Sequence, residues 1–286
     1  MKVDRYPESP AEPTACLTLD LEPSFDVGSP AVRRQVFHHL DDYIERFQRR
    51  DLPVSMFVVG RTVETYPELI RRLDGALDVE FHLHSYSHDM SGEADIEAEI
   101  RRGVEAFESV LGRTPVGYRA PRYIATASDL EALSAAGFAF DSSICPSYRP
   151  GVYDHLDKPT EPFYPAVSPD LLELPISVHP RLRVPIIQSF LKLLGRPYLR
   201  LLERSSLPNP LIYNSHLHDY YRTDAHDMLS PFKRLLFSRN MADSFELFEQ
   251  FVDLLEDRNY RFRKLSDVAA TLSETEGSAS VVSPRN

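Results

Sequence analysis

Two cysteines in 286 residues, Cys16 and Cys145, are too few for a disulfide framework. Cys16 sits in an apolar run and is expected as a small buried residue. The low count fits a reducing compartment. No stretch approaches the ~20 apolar residues of a membrane span. The opening "MKVDRYPESPAEPTA" lacks the apolar core of a secretory signal. The expectation is a cytosolic protein. Positive charge is scarce as well. Net charge is −11, so the surface as a whole repels phosphate backbones, and no nucleic-acid partner is expected. The chain has five lysines against 27 arginines, which we read as compositional bias.

What is present is an alternating α/β pattern. The length exceeds a typical domain of roughly 100–200 residues but is ordinary for one barrel, and it suffices for a substantial core. Residues 15–22, 52–60, 77–84, 116–121, 138–143, 171–178 and 210–218 read as strands. Residues 30–50, 66–75, 93–112, 128–137 and 241–260 read as helices, with Ser128 as the N-cap of the fourth. Alternation of this kind means a parallel sheet. Residues 1–14 are expected as a flexible arm and 273–286 as a disordered tail. No linker divides 15–272, which reads as one domain with 146–210 as a loop and helical insertion. Within that insertion, 146–170 is expected to be a long irregular loop.

Two histidine clusters carry the chemical signal. "EFHLHSYSHDM" (80–90) places His82, His84 and His88 within seven positions. "NSHLHDYY" (214–221) adds His216 and His218. His82 and His84 share a strand face. If "HSYSH" turns over, His84 and His88 meet one ion. Two imidazoles plus a carboxylate, with room for water, form a usual catalytic metal set. "TLDLEP" offers that carboxylate, because Asp20 and Glu22 are two apart at the C-terminal end of the first strand. Parallel α/β sheets place their ligands at that end.

In the order "TLDLEP", "HLHSYSH", "YRAP" and "HLHD", over roughly 15–265, the chain resembles the NodB-type polysaccharide deacetylases, carbohydrate esterase family 4. The resemblance implies a distorted (β/α)7-type barrel. It implies removal of acetyl groups from sugars by a divalent metal. Glu22, His84 and His88 would hold that metal. Asp20 would be the base on the metal-bound water, and Arg119 would orient Asp20. Pro121 would shape the loop, and Arg122 would help stabilise the oxyanion through its backbone N–H. His218 would be the general acid, with His216 as the alternative. Asp141 or Glu173 would tune that acid, and Asp141 is preferred. His82 lies one layer deeper and is expected to be structural. Two departures stand out. The family's adjacent aspartates are replaced by Asp20-Leu21-Glu22, and Arg122 stands where an aromatic is common. Arg122 is either a contact for an anionic substrate group or a solvated side chain.

A segment of opposite charge interrupts the acidic chain. "RLRVPIIQSFLKLLGRPYLRLLER" (181–204) holds six basic residues and one acid. It reads either as a helix packed on the barrel or as a basic amphipathic segment on an anionic membrane face. The second reading allows a lipid-linked sugar substrate at the inner membrane face. The expected function is a metal-dependent hydrolase. It would remove an acetyl or formyl group from an amino sugar of a polysaccharide or glycolipid precursor. The metal is expected to be zinc, although cobalt, nickel, iron and manganese also suit the donor set. A cyclic amide or imide hydrolase and a non-catalytic glycan-binding protein are the competing readings.

Overall fold

The structure is a computed structural model that describes residues 4–89 and 94–279, with side chains described through residue 274. An eight-stranded parallel sheet curls into a half-barrel. Its first strands are β1 (Thr14–Leu21), β2 (Val54–Val58), β3 (Val79–Leu83), β4 (Gly117–Tyr118) and β5 (Phe140–Asp141). A separate hairpin of β6 (Tyr148–Arg149) and β7 (Tyr153–Asp154) follows. The sheet resumes with β8 (Leu172–Glu173), β9 (Leu211–His216) and β10 (Arg261–Phe262). β9 pairs with one edge of β1. β2 and the short β10 share the other edge, and the order continues β2-β3-β4-β5-β8. The chain after β8 reaches back toward β9, where Ser177 N donates to Ile212 O at 2.9 Å.

β1 explains why the strands are nearly continuous apolar runs. All eight of its residues are buried, because both sheet faces are covered. Ala15, Leu17, Leu19 and Leu21 join the outer core beneath the helices. Cys16 joins an inner core with Phe57, Phe140 and Ile212. Thr18 and Asp20 share the inward face of Cys16 by period two.

The helices form the outer layer: α1 (Pro30–Arg34), α2 (Leu40–Arg50), α3 (Gly60–Thr65), α4 (Pro67–Ala76), α5 (Ile96–Leu111) and α6 (Ala127–Ala135). After the hairpin come α7 (Gln188–Leu194), α8 (Arg196–Glu203), α9 (Leu217–Tyr220), α10 (Asp224–Asp227), α11 (Pro231–Ser238), α12 (Ser244–Asp257) and α13 (Leu265–Ala279).

Several sequence expectations need correction. The single helix at 30–50 is two helices joined by a 3-10 turn, Gln35–His39. The cap of α6 is Thr126, not Ser128. Thr126 and Asp129 form a reciprocal capping box, and the helix begins at Ala127, which places Ser128 inside its first turn. The arm is pinned, since Arg5 and Tyr164 exchange backbone hydrogen bonds at 3.1 and 2.8 Å and Asn209 donates to Pro10 O. The irregular loop at 146–170 contains the β6–β7 hairpin. α13 continues to Ala279, past the expected start of the tail at 273, and 280–286 lie outside the described residues.

The basic segment 181–204 packs on the barrel. It breaks at Gly195 into α7 and α8. Leu191, Tyr198, Leu199 and Leu202 are buried in the core, so the apolar face that a membrane contact needs is already covered. Lys192 is buried too, and Arg196 pairs with Glu246 at 2.7 Å.

Two glycines let α3 and α5 approach each other beside β3. A Cβ on Gly60 would lie 3.2 Å from Gly103 Cα, and one on Gly103 would lie 2.4 Å from Leu83 Cδ1. Gly103→Ala is therefore expected to overpack this contact and cost about 1–3 kcal/mol. Urea unfolding should show a lower midpoint at unchanged slope, and an unaltered midpoint would contradict the close packing.

Candidate metal centre and active site

The reactive side chains collect at the rim formed by the C-terminal ends of β1, β3 and β9 and by the turn after β4. Asp20 is 2% exposed and lies opposite His216 in the β1–β9 register. Arg119 follows β4 and is wholly buried. Its Nη1 donates to Asp20 Oδ1 at 2.7 Å, and also to Thr18 Oγ1 and Asn214 Oδ1. Its Nε and Nη2 donate to the carbonyl and hydroxyl of Ser142. The guanidinium sits 3.9 Å from the centroid of Phe57. Asn214 Nδ2 donates to the second oxygen of Asp20 at 2.8 Å. Burial opposes the charge of Asp20, but Arg119, His84 and His216 outweigh it and hold the carboxyl below its ordinary range. The expected Arg119–Asp20 contact is thus present.

Glu22, His84 and His88 converge, with one ligand atom of each within 4.8 Å of the others. Glu22 Oε2 lies 2.5 Å from His88 Nε2 and 3.7 Å from His84 Nε2. The expected turn of "HSYSH" is made by left-handed backbone at Ser85 (φ 53°) and His88 (φ 57°). Its amides are tied down from α5, where buried Glu99 Oε2 accepts from Tyr86 N at 2.8 Å and Ser87 N at 2.7 Å. From α3, Gly60 N and Arg61 N donate to Ser85 O and Tyr86 O.

The donor set fits a divalent cation. His84 Nδ1 lies 2.7 Å from Arg119 O, which can only accept, so Nδ1 carries the hydrogen and Nε2 presents its lone pair toward Glu22. Glu22 Oε2 is buried, with the ring nitrogens of His88 and His84 as its polar neighbours. Burial would raise Glu22, yet His88 and His84 hold it well below the usual carboxylate range.

The second histidine cluster divides differently from the expectation. β9 ends at His216, and α9 begins at Leu217. His216 therefore ends the strand on the rim face, and His218 lines the same cleft from the first turn of α9. His216 Nε2 is 3.4 Å from Asp20 Oδ2 and 3.8 Å from Glu22 Oε1. Its Nδ1 is 3.3 Å from Asp219 Oδ2. Burial disfavours its charge, but Asp219, Asp20 and Glu22 push it up to about 9. His218 stacks on His216 and Phe25, and its Nδ1 is buried without a partner. Burial and the neighbouring His216 push it down to about 3.

Asp219 is a residue that the sequence reading missed. Ser189 donates to its Oδ1 at 2.7 Å, and buried Lys192 lies 3.7 Å away. Burial alone would raise this carboxyl, but His216 and Lys192 drive it well below its ordinary range. Its only sequence signal was the i, i+3 spacing from His216. Asn214 was also missed, although it lies two residues before His216 on the same strand face.

The remaining expected residues fall in and around this frame. Pro121 opens a short 3-10 turn, Pro121–Tyr123, in which Arg122 adopts left-handed backbone (φ 59°, ψ 12°). Arg122 lines the open cleft above Asp20 and Glu22. His82 points into the barrel between Phe57 and Phe140, with Nε2 2.9 Å from Glu80, and takes no part in the Glu22–His84–His88 group. Asp141 does not tune the histidines. It is buried at the end of β5, where Ser143 Oγ donates to it at 2.6 Å, and it is paired with Glu173. The tuning carboxylate beside the rim is Asp219.

The polysaccharide deacetylase family profile matches residues 10–140. A peptidoglycan deacetylase-like protein of Gibberella zeae is 29% identical over 94 residues, covering 32% of this chain and 28% of that protein. A peptidoglycan deacetylase of Helicobacter pylori is 27% identical over 103 residues, covering 35% of each. The matches thus span about a third of the length of these curated relatives. A crystal structure assigned as a polysaccharide deacetylase from Mycobacterium smegmatis aligns over 100% of this chain and 98% of its own. It has a TM-score of 0.61 at 19% identity, a likeness of fold.

The Asp141–Glu173 pair generates a prediction. Asp141 Oδ2 and Glu173 Oε2 are both buried without another partner. Burial, partly offset by hydrogen bonds from Glu173 and Ser143, pushes Asp141 up to about 6. Burial and Asp141 raise Glu173 well above its ordinary range. The folded chain keeps a proton that the unfolded chain releases near pH 4. Stability contributed by protons on this pair is full below pH 4 and is lost as pH rises through about 6, where Asp141 ionises, and further where Glu173 follows. Glu173→Gln supplies an amide donor in place of the proton. Its stability relative to the natural chain should rise by about 1–3 kcal/mol between pH 4 and pH 8. Equal pH profiles in urea titrations would refute the shared proton.

Proposed function

We propose, for a chain that belongs to the NodB-type polysaccharide deacetylase superfamily, a metal-dependent hydrolysis that removes an acetyl or formyl group from an amino sugar of a polysaccharide or glycolipid precursor. The observation that carries this reading is the single rim where Asp20, Glu22, His84, His88 and His216 meet. The peptidoglycan relatives support a glycan substrate. Glu22, His84 and His88 would hold the cation, with zinc the best match to two imidazoles and one carboxylate and with cobalt, nickel, iron or manganese also accepted. That cation supplies Lewis acidity toward water and the acyl carbonyl.

The chain's own residues handle the protons. Asp20 is held ionised and aimed by Arg119 and Asn214, so it can take the proton of the attacking water. An amine leaves a tetrahedral carbon only when protonated. His216 is suited to deliver that proton, because Asp219 favours its charged form and it lies beside Asp20. His218, kept neutral by burial, supports the ring of His216 by stacking. The acid role assigned to His218 by resemblance is therefore better filled by His216.

Two experiments test this reading. Elemental mass spectrometry should find about one metal per chain, lost in the His84→Ala/His88→Ala double variant and kept in Asp20→Asn. Asp20→Asn should lower deacetylation of acetylated amino-sugar oligomers by about 10²–10⁴-fold. A natural chain that takes up no zinc, cobalt or nickel would sink the proposal. The second experiment separates the histidines. His216→Asn should lower kcat by about 10²–10⁴-fold, and His218→Gln by less than about ten-fold. The opposite ranking would return the acid role to His218.

A further inference from the structure

The segment 228–242 differs from the rest of this acidic chain. Between Asp227 and Asp243 it holds Lys233, Arg234 and Arg239 and no carboxylate. Its helix, α11, has no buried residue. Phe232 is 71% exposed, Leu235 68% and Met228 54%, and they are among the most exposed large apolar side chains of the described residues. None of the three cations forms an ion pair among the described residues.

Helical spacing sorts these side chains. Phe232 and Leu235 are three apart and share a face. Phe237 lies on the other side, where it packs against Phe25 and His218. Phe232, Lys233, Leu236 and Phe237 line the same cleft as Asp20 and Glu22. α11 is thus fixed to the molecule by its inner face and presents an apolar ridge flanked by cations to solvent. Exposed apolar ridges of this kind call for a partner.

We infer that α11 seats the protein on an anionic lipid bilayer, with Phe232, Leu235 and Met228 entering the interface and Lys233, Arg234 and Arg239 meeting lipid phosphates. Apolar insertion flanked by cations is the recognition chemistry of interfacial helices. A second copy of the chain is the weaker occupant, because a two-fold contact through this ridge sets like cations against each other. Docking by α11 places the mouth of the cleft at the headgroup layer. The inference stands independently of the proposed hydrolysis.

The test exploits the absence of tryptophan from the chain. Leu235→Trp makes a single fluorophore on the ridge. Its emission should shift to the blue on addition of phosphatidylcholine vesicles containing about a third phosphatidylglycerol, but not with phosphatidylcholine alone. The shift should shrink as salt screens the cations. In co-sedimentation, the natural chain should pellet with the anionic vesicles. Leu235→Ser and Arg234→Glu/Arg239→Glu should each bind at least ten-fold more weakly, with melting temperatures that confirm folding. Failure of the natural chain to bind, binding unchanged in both variants, or a Leu235-dependent dimer without vesicle binding would each overturn the inference.

Discussion

The Arg119–Asp20 ion pair is the constraint on which the site depends. It lies inside the sheet, where taking two charges out of water costs several kcal/mol per ion before any attraction is counted. The structure meets that cost by giving every part of the guanidinium a partner. Thr18, Asp20 and Asn214 accept from one nitrogen and Ser142 from the other two, while Phe57 covers a face. The partners come from β1, β2, β9 and the turn after β5. The pair therefore fixes the relative positions of strands that are distant in sequence. Removing either member would leave the other charge buried and alone, which is far more damaging than the net value of the pair suggests.

The histidine loop is built on that frame. The backbone carbonyl of Arg119 orients His84, so one residue holds Asp20 through its side chain and His84 through its main chain. Glu99 and the first turn of α3 hold the amides and carbonyls of the loop. The close approach of Gly60 and Gly103 lets both helices reach it. Left-handed backbone at Ser85 and His88 is unfavourable for non-glycine residues. These surrounding contacts keep it in place.

The sequence made the ends of strands legible and left the pairs between strands obscure. Asp20, Glu22, His84 and His88 were readable because alternation and proximity in the chain already group them. Arg119 came with the resemblance. Asp219 and Lys192 were not readable, since their meeting depends on how α7 lies against α9. The relation between the two histidines was not legible for a local reason. A period-two argument holds only while the strand continues, and β9 gives way to α9 between His216 and His218. The partner of Asp141 was not legible either, because its pairing with Glu173 joins two strands that are about 30 residues apart in the chain. The basic segment 181–204 left two readings open because spacing by four does not say which face the barrel covers, and Lys192 is a buried partner of Asp219.

Charge is segregated by depth as well as by position. The three carboxylates nearest His216 are Asp20, Glu22 and Asp219, and together they favour its protonated form despite burial. His218, two residues on, is stacked against it and driven neutral by the same burial. Two adjacent imidazolium ions in one apolar pocket would repel, so only one ring of the pair can carry the charge. The carboxylates favour His216, whose ring nitrogens lie 3.4 Å from Asp20, 3.8 Å from Glu22 and 3.3 Å from Asp219. The neutral ring then serves as packing between the charged histidine and Phe25. Phe25 in turn touches Phe237 of α11. The placement of α11 at the mouth of the cleft is thereby tied to the stack that supports His216. A change in the seating of α11 has a direct mechanical route, through Phe25 and His218, to His216.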